Sequence, residues 1–227
     1  MSGSFVSPET RARIRGLVVP IALAFGKVGL TPNALTLIGF GIAVIAALLA
    51  AAQSWLLAGI LVVFGGVFDL FDGALARATN TTSRLGAFMD SVFDRWGEGV
   101  VYVGIAAGCV AASFDVGIVL TAAAMMSAFM VSYTRAKSES EGFTPGKGMA
   151  NVGLAPREVR IVILTAAMIL TAVMGGTAVA DPGGADVTWS LGRPALAIGL
   201  GLIALLATVT TIQRILHVVG QSSKEHE

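Results

Sequence analysis

The sequence predicts an all-α integral membrane protein: six transmembrane helices preceded by an N-terminal amphipathic helix on the membrane surface. Three observations carry this reading. Of 227 residues, 55% are hydrophobic and only 13% are charged, against roughly 25% charged in a soluble domain. Mean hydropathy is +0.82, and a chain this short keeps much of its surface exposed, so lipid is the natural solvent for the apolar excess. The basic residues are also distributed one-sidedly about the apolar runs.

A bilayer-spanning helix needs about 20 mostly apolar residues. Six runs qualify, at about 34–52, 55–78, 84–110, 115–137, 158–177 and 194–216. The first, fourth, fifth and sixth are clean; the second and third carry acids toward their shared turn. Upstream, 8–25 is predicted as a surface helix. Ser7 suits its cap and Pro8 its first position. Arg11 and Arg15 share a face, and Leu17, Val18, Ile21 and Phe25 offer apolar contact. Thr31 and Pro32 likewise suit the cap and first position of the first span. With no internal repeat and no low-complexity linker, the expectation is one domain over 1–227, with a six-helix bundle at 34–216.

Arg11, Arg13, Arg15 and Lys27 precede the first span. Arg77 and Arg84 flank the next turn on that side, Arg135, Lys137, Lys147, Arg157 and Arg160 surround the fourth-to-fifth connection, and Arg214 and Lys224 follow at the end. The opposite loops hold only Arg193. Six spans and the positive-inside bias together place both termini and the acidic turn in the cytoplasm, with 178–193 outside. Pro20 and Lys27 interrupt the first apolar run, so a secretory signal peptide is not expected. Net charge of +1 gives no reason to expect a nucleic-acid partner. The single cysteine, Cys109, excludes a disulfide scaffold and reads as a small buried hydrophobe. Trp55 and Trp189 fall at span edges, where aromatics anchor to the interface. Gly39, Gly41, Gly199 and Gly201 permit close helix packing or dimerisation. His217 and His226 are not expected to be ligands.

Ionisable residues at membrane depth are costly and mark function. Asp69 and Asp72 are three apart and share a helix face, which Gly73, Ala76 and Arg77 continue. On the next helix Gly86, Asp90 and Asp94 recur every fourth residue. The short polar turn from Ala78 to Ser83 predicts an antiparallel pair that brings all four carboxylates to one depth. Facing carboxylates cannot all ionise alone. A hard divalent cation such as Mg²⁺, Mn²⁺ or Ca²⁺ resolves this, and zinc does not suit the donors. Gly73 and Gly86 leave room for a ligand at the helix backbone, and Arg77 supplies a fixed charge for a phosphate. The structural alternative, Asp ion pairs with Arg77, Arg84 or Arg95, has too few cations; Arg95 is expected to pair with Glu98. Ion or proton transport is the rival function, and it predicts discontinuous helices and repeats.

Asp69-Leu-Phe-Asp72-Gly73-Ala-Leu-Ala76-Arg77, eight residues, then Gly86-Ala-Phe-Met-Asp90-Ser-Val-Phe-Asp94 resembles the signature of the CDP-alcohol phosphotransferase (CDP-alcohol phosphatidyltransferase) family at every fixed position. Thr31 to Thr36 resembles the start of that family's first helix. The resemblance implies an enzyme that moves a phospho-alcohol from a CDP-linked donor to an acceptor hydroxyl, releasing CMP. It implies Asp69, Asp72 and Asp90 as ligands of Mg²⁺ or Mn²⁺, taken as two ions. Asp94 is implied as a further ligand, as general base, or as both. Asn33, Asp69, Gly73, Ala76, Arg77 and Gly86 are implied at the nucleotide and donor. A homodimer in the cell's inner membrane is implied as well.

Ser132-Tyr133-Thr134-Arg135-Ala136-Lys137-Ser138-Glu139 and Ala155-Pro156-Arg157-Glu158-Val159-Arg160 resemble segments of the branch that makes phosphatidylinositol phosphate from CDP-diacylglycerol and inositol phosphate. Gln213-Arg214 fits it too. That likeness makes Arg135, Lys137, Arg157, Arg160 and Arg214 candidates for an acceptor phosphate. Lys137, Ser138 and Pro156 depart from the branch pattern, which leaves glycerol 3-phosphate, serine or another polyol phosphate open as acceptor.

Overall fold

The structure is a computed structural model that describes residues 8–143, 152–177 and 190–225. Among the described residues, seven helices run in chain order: α1 (Pro8–Lys27), α2 (Pro32–Ala51), α3 (Trp55–Ala78), α4 (Arg84–Ala111), α5 (Asp115–Ser140), α6 (Arg157–Val173) and α7 (Gly192–Glu225). No strand occurs among the described residues. Local chemistry sets the helix starts. Thr31 Oγ1 accepts from Ala34 N at 3.2 Å, with Pro32 opening α2. Ser83 Oγ accepts from Gly86 N at 2.9 Å and caps α4. The turns after α2, α3 and α4 each use one left-handed residue, Gln53 (φ 59), Asn80 (φ 55) and Ser113 (φ 48), a conformation that costs Asn least among them.

By length and composition, four of these helices can cross a membrane: α2, α3, α5 and α7. The acids and arginines of α4 (Arg84, Asp90, Asp94, Arg95, Glu98) and the 17-residue length of α6 set those two apart. Exposed large apolar side chains, such as Leu48, Phe64, Val103, Val119, Val162 and Leu205, cover the outside of the bundle. A surface of this kind suits lipid.

The expected α3–α4 pair is not what forms. α2 lies between them and packs along both, and α3 and α4 barely touch. Small residues permit this wedge. A Cβ added at Gly104 of α4 would lie 2.2 Å from the Ala47 carbonyl oxygen, and one at Gly108 2.3 Å from that of Ala50. The Gly104–Gly108 spacing is the small-xxx-small pattern of close helix approach. Gly199 lets α7 meet α6, with Ala167 Cβ 2.3 Å from a Cβ built there. Gly39 gives way to Asp69, as described below. Gly41 faces no neighbour, and Gly201 comes only within 3.9 Å of Leu120, so these two do not mediate close packing inside the chain.

At the end of the bundle away from the acids, a polar clasp joins three connections, α2–α3, α4–α5 and α6–α7. Trp55 is buried, and its Nε1 donates to Thr177 Oγ1 at 3.1 Å. Arg193 donates to the carbonyls of Thr177 (2.8 Å) and Ala112 and lies over the Phe114 ring, 5.4 Å from its centroid. Trp55 is therefore an internal tie rather than an interfacial anchor, because the turn at Gln53 directs its ring inward. Cys109 is buried, as expected. The apolar face of α1 divides: Val18, Val19, Ala22 and Phe25 pack on Phe68, Phe71 and Leu75 of α3, while Leu17 and Ile21 stay exposed. Val18, Ala22 and Phe25 follow a seven-residue helical stripe, so α1 docks on the protein through one edge of its apolar face. Ser7, Lys147, Trp189, His226, the 144–151 and 178–189 segments and the side chains of Arg11, Arg13, Arg15 and Lys224 lie outside the described residues.

Candidate active site

Asp69 and Asp72 lie on the C-terminal half of α3, and Asp90 and Asp94 on the N-terminal half of α4, beside the buried face of α2. Asp69 and Asp90 are near enough for their charges to act on Asp72, and both act likewise on Asp94. The four carboxylates thus form one electrostatic cluster held by two helices with a third between them. Asp69, Asp72 and Asp94 are each engaged by this chain's own groups. Asp72 is buried; its Oδ2 accepts from Thr36 Oγ1 at 2.6 Å, and its Oδ1 accepts from Gly73 N. Asp69 Oδ2 lies 2.6 Å from Arg157 Nη2, and Asp94 Oδ1 lies 3.0 Å from Arg157 Nη1. Asp94 also has Arg95 at 3.9 Å.

Among the described residues, no group of three acidic, His or Cys side chains is gathered as a ready ligand set. The donors still fit a hard divalent cation: they are carboxylates only, in one charged cluster. A Cβ on Gly39 would lie 3.0 Å from Asp69 Oδ1, so glycine keeps open the space beside that carboxylate oxygen. The main counter-cation is Arg157 of α6; of the candidates that the sequence offered, Arg95 alone reaches an aspartate among the described residues, at the longer distance of 3.9 Å.

Two cavities meet at Asp90. The first, about 400 Å³, is lined by Thr31, Asn33, Thr36, Asp72, Gly73, Ala76, Arg77, Ser83, Gly86 and Asp90. The residues expected at the nucleotide all face it except Asp69. Gly73 lets Arg77 fold back over its own helix, since a Cβ there would lie 3.1 Å from Arg77 Nη1. At Gly86 a Cβ would approach Ser83 Oγ to 3.1 Å and Asn33 Oδ1 to 3.6 Å. The second cavity, about 530 Å³, lies between α4, α5, α6 and α7, with Asp90, Asp94, Arg95, Arg135, Arg157, Arg160 and Arg214 on its walls. Asp72 faces only the first cavity, Asp94 only the second, and Asp90 both.

The five expected acceptor cations differ in what they are free to do. Arg135 lines the second cavity and pairs with Glu139 at 2.9 Å. Lys137 does not line it: two residues along α5 is about 200° of rotation, so Lys137 turns outward and pairs with Glu141. Arg160 is 1% exposed, with Nε and Nη2 on Glu98 at 2.8 and 2.9 Å and Nη1 on the Ala155 carbonyl at 3.0 Å. All its donor nitrogens are committed, which makes it a structural tie between α4 and α6. Arg214 is buried and donates to the carbonyls of Val152 (3.0 Å) and Val131. Among the described residues, Arg157 bonds to the carboxylates alone. Arg95 pairs with Glu98 at 3.1 Å as expected, and it also faces the cavity, which the sequence did not indicate. A small cavity of about 50 Å³ adjoins Asp69, Asp94 and Arg157 from the bundle interior, bordered by Glu98 and Tyr102.

Thr36 is a functional candidate that the signature does not contain. It lies one turn into α2 and orients Asp72 through a short hydrogen bond. Replacing it with valine removes that donor while keeping the shape. Loss of a group that orients a metal ligand typically costs 10–100-fold in affinity, so Thr36→Val is expected to weaken Mn²⁺ binding about tenfold with the fold intact. Titration of free Mn²⁺ by electron paramagnetic resonance reads this; unchanged affinity would show that the hydrogen bond is incidental.

Residues 29–220 match the CDP-alcohol phosphatidyltransferase family. An archaetidylinositol phosphate synthase of Pyrococcus horikoshii is 33% identical over 207 residues, covering 91% of this chain and 93% of that protein. A phosphatidylinositol phosphate synthase of Mycobacterium tuberculosis is 33% identical over 216 residues, 94% of this chain and 90% of that one. The crystal structure of the M. tuberculosis phosphatidylinositol phosphate synthase with CDP-DAG bound superposes with a TM-score of 0.72 at 28% identity, covering 88% of this chain and 92% of that one. The same enzyme in complex with manganese and citrate gives 0.72 at 27% identity, covering 88% of each chain. The matched region contains all four aspartates and both cavities, and on this evidence the chain belongs to the CDP-alcohol phosphatidyltransferase family.

Proposed function

We propose that this protein is a phosphatidylinositol phosphate synthase, transferring the phosphatidyl group of CDP-diacylglycerol to inositol 1-phosphate and releasing CMP. The observation that carries this is the pair of cavities meeting at Asp90: a glycine-lined one beside Arg77, and an arginine-walled one suited to a phosphorylated acceptor. The relatives support the acceptor, since their names share inositol phosphate while the lipid differs, archaetidyl in one and phosphatidyl in the other. Membership of a transferase family sets the ion-transport reading aside.

In this reading Asp69, Asp72 and Asp90, with Asp94 beside them, hold Mg²⁺ or Mn²⁺, two ions in the full site. Bound metal neutralises the pyrophosphate and stabilises departing CMP. Asn33, Gly73, Ala76, Arg77 and Gly86 seat the cytidine and pyrophosphate. Arg135, Arg157 and Arg214 meet the acceptor phosphate, with Arg160 holding the wall in place. Asp94 is the carboxylate facing only the acceptor, so it takes the proton of the attacking hydroxyl. The hydroxyl oxygen bonds to the β-phosphorus, the bond from that phosphorus to the bridging oxygen breaks, and CMP leaves with the electron pair. Six spans follow if α4 and α6 also cross, which their packing inside the bundle favours. Both termini and the cavities are then cytoplasmic in the plasma membrane. The apolar exterior is compatible with a homodimer.

The test is CMP release by the purified protein in lipid nanodiscs with CDP-diacylglycerol and Mg²⁺ or Mn²⁺, across inositol 1-phosphate, inositol, glycerol 3-phosphate and serine. Release only with inositol 1-phosphate is expected. Release with glycerol 3-phosphate or serine in its place would replace the acceptor and keep the family chemistry.

A further inference from the structure

Arg157 differs from every other cation on the acceptor cavity. Arg160 and Arg214 are fixed by Glu98 and by backbone carbonyls. Arg157 is held, among the described residues, only by Asp69 at 2.6 Å and Asp94 at 3.0 Å. Its Nε is buried without a hydrogen-bond partner among them. Its two partners belong to the carboxylate cluster, and its side chain also borders the acceptor cavity. A guanidinium and a divalent cation cannot occupy the same oxygens at about 3 Å without strong mutual repulsion.

We infer that Arg157 is an exchangeable counter-cation: it bridges Asp69 and Asp94 until divalent metal enters the carboxylate cluster, and then turns into the acceptor cavity to bind the acceptor's phosphate. This rests on the proposed reaction and adds a coupling to it. Metal and acceptor phosphate each draw the equilibrium toward the same Arg157 position, so each tightens the other's binding by the same factor. The exchange also frees Asp94 from its ion pair only when metal is present and the phosphate site is formed. A general base tied to an arginine is a poor base, so Asp94 becomes an effective one only once metal has displaced Arg157.

The experiment measures Mn²⁺ binding to the full-length protein in nanodiscs by electron paramagnetic resonance, with and without inorganic phosphate or inositol 1-phosphate. No nucleotide and no turnover are needed. For the unaltered protein, saturating inositol 1-phosphate is expected to tighten Mn²⁺ binding at least about fivefold, the lower end of typical coupling between sites. Arg157→Gln is expected to bind Mn²⁺ more tightly without phosphate and to lose the phosphate effect. Arg157→Lys, a charge that cannot span both carboxylates, falls between. Arg95→Gln controls for bulk charge beside Asp94: it is expected to change Mn²⁺ affinity less and to retain the phosphate effect. The inference is overturned if phosphate leaves Mn²⁺ affinity unchanged in the unaltered protein. It is overturned equally if Arg95→Gln reproduces Arg157→Gln, or if Arg157→Gln keeps the coupling. The unaltered protein decides the first point even if a variant does not fold. Failure of the acceptor assignment reads differently: CMP release would require another acceptor while inorganic phosphate and Mn²⁺ still bound cooperatively.

Discussion

Asp94→Asn is expected to reduce CMP release about a thousandfold, within the range for losing a general base, with CDP-diacylglycerol binding retained. The expectation follows from which cavity each carboxylate faces. Of the two large cavities, Asp72 lines only the one proposed for the donor, Asp90 lines both, and Asp94 lines only the one proposed for the acceptor. Asparagine keeps the size and one oxygen of the side chain but cannot accept the proton of the attacking hydroxyl. Steady-state CMP release, paired with Mn²⁺ titration, separates the two roles the signature allows. A loss in kcat with Mn²⁺ affinity unchanged identifies the base. A loss that excess Mn²⁺ restores would identify a ligand and remove Asp94 from the proton transfer. Activity near that of the unaltered protein would overturn both.

Glu98→Ala should be the most destabilising single change in the polar interior. Glu98 continues the Asp90–Asp94 stripe by one more turn of α4, but its role is different. It accepts from Arg95 at 3.1 Å and twice from Arg160, at 2.8 and 2.9 Å. Its side chain is 6% exposed and that of Arg160 1%. Removing one partner of such a pair leaves an uncompensated buried charge, worth about 3–5 kcal/mol. For a chain of this size that corresponds to a fall of about 10 °C in the apparent unfolding temperature. Thermal unfolding in lipid nanodiscs measures it, and a shift of less than about 2 °C would show that water reaches the pair. The double variant Glu98→Leu with Arg160→Leu should recover most of the loss, because replacing both members of a buried pair with apolar groups is often neutral.

The parts of this protein that the sequence by itself determined are those with a local cause. Apolar runs set the helices, and Thr31 with Pro32, and Ser83, set where α2 and α4 begin. The spacing of Asp69, Asp72, Asp90 and Asp94 defines two acidic faces because helical periodicity fixes which side chains share a side. Gly73 and Gly86 mark the cavity proposed for the donor for the same reason.

Tertiary structure decided which face meets which partner. Periodicity orients a side chain about its own helix and carries nothing about the neighbour, so the wedge of α2 between α3 and α4 had no signal beyond the small residues Gly104 and Gly108. It alone brought Thr36 to Asp72. Arg157 and Arg160, three residues apart on α6 and both read as phosphate ligands, part company once α6 docks. One reaches Asp69, 88 residues away in the chain, and the other Glu98, 62 away. Lys137 left the site through the rotation of a helix that also carries Arg135. The chemistry of the aspartates is thus written in the order of residues along two helices, whereas the choice of cations for them depends on how buried charges at membrane depth find partners across the bundle, where an unpaired one is too costly to keep.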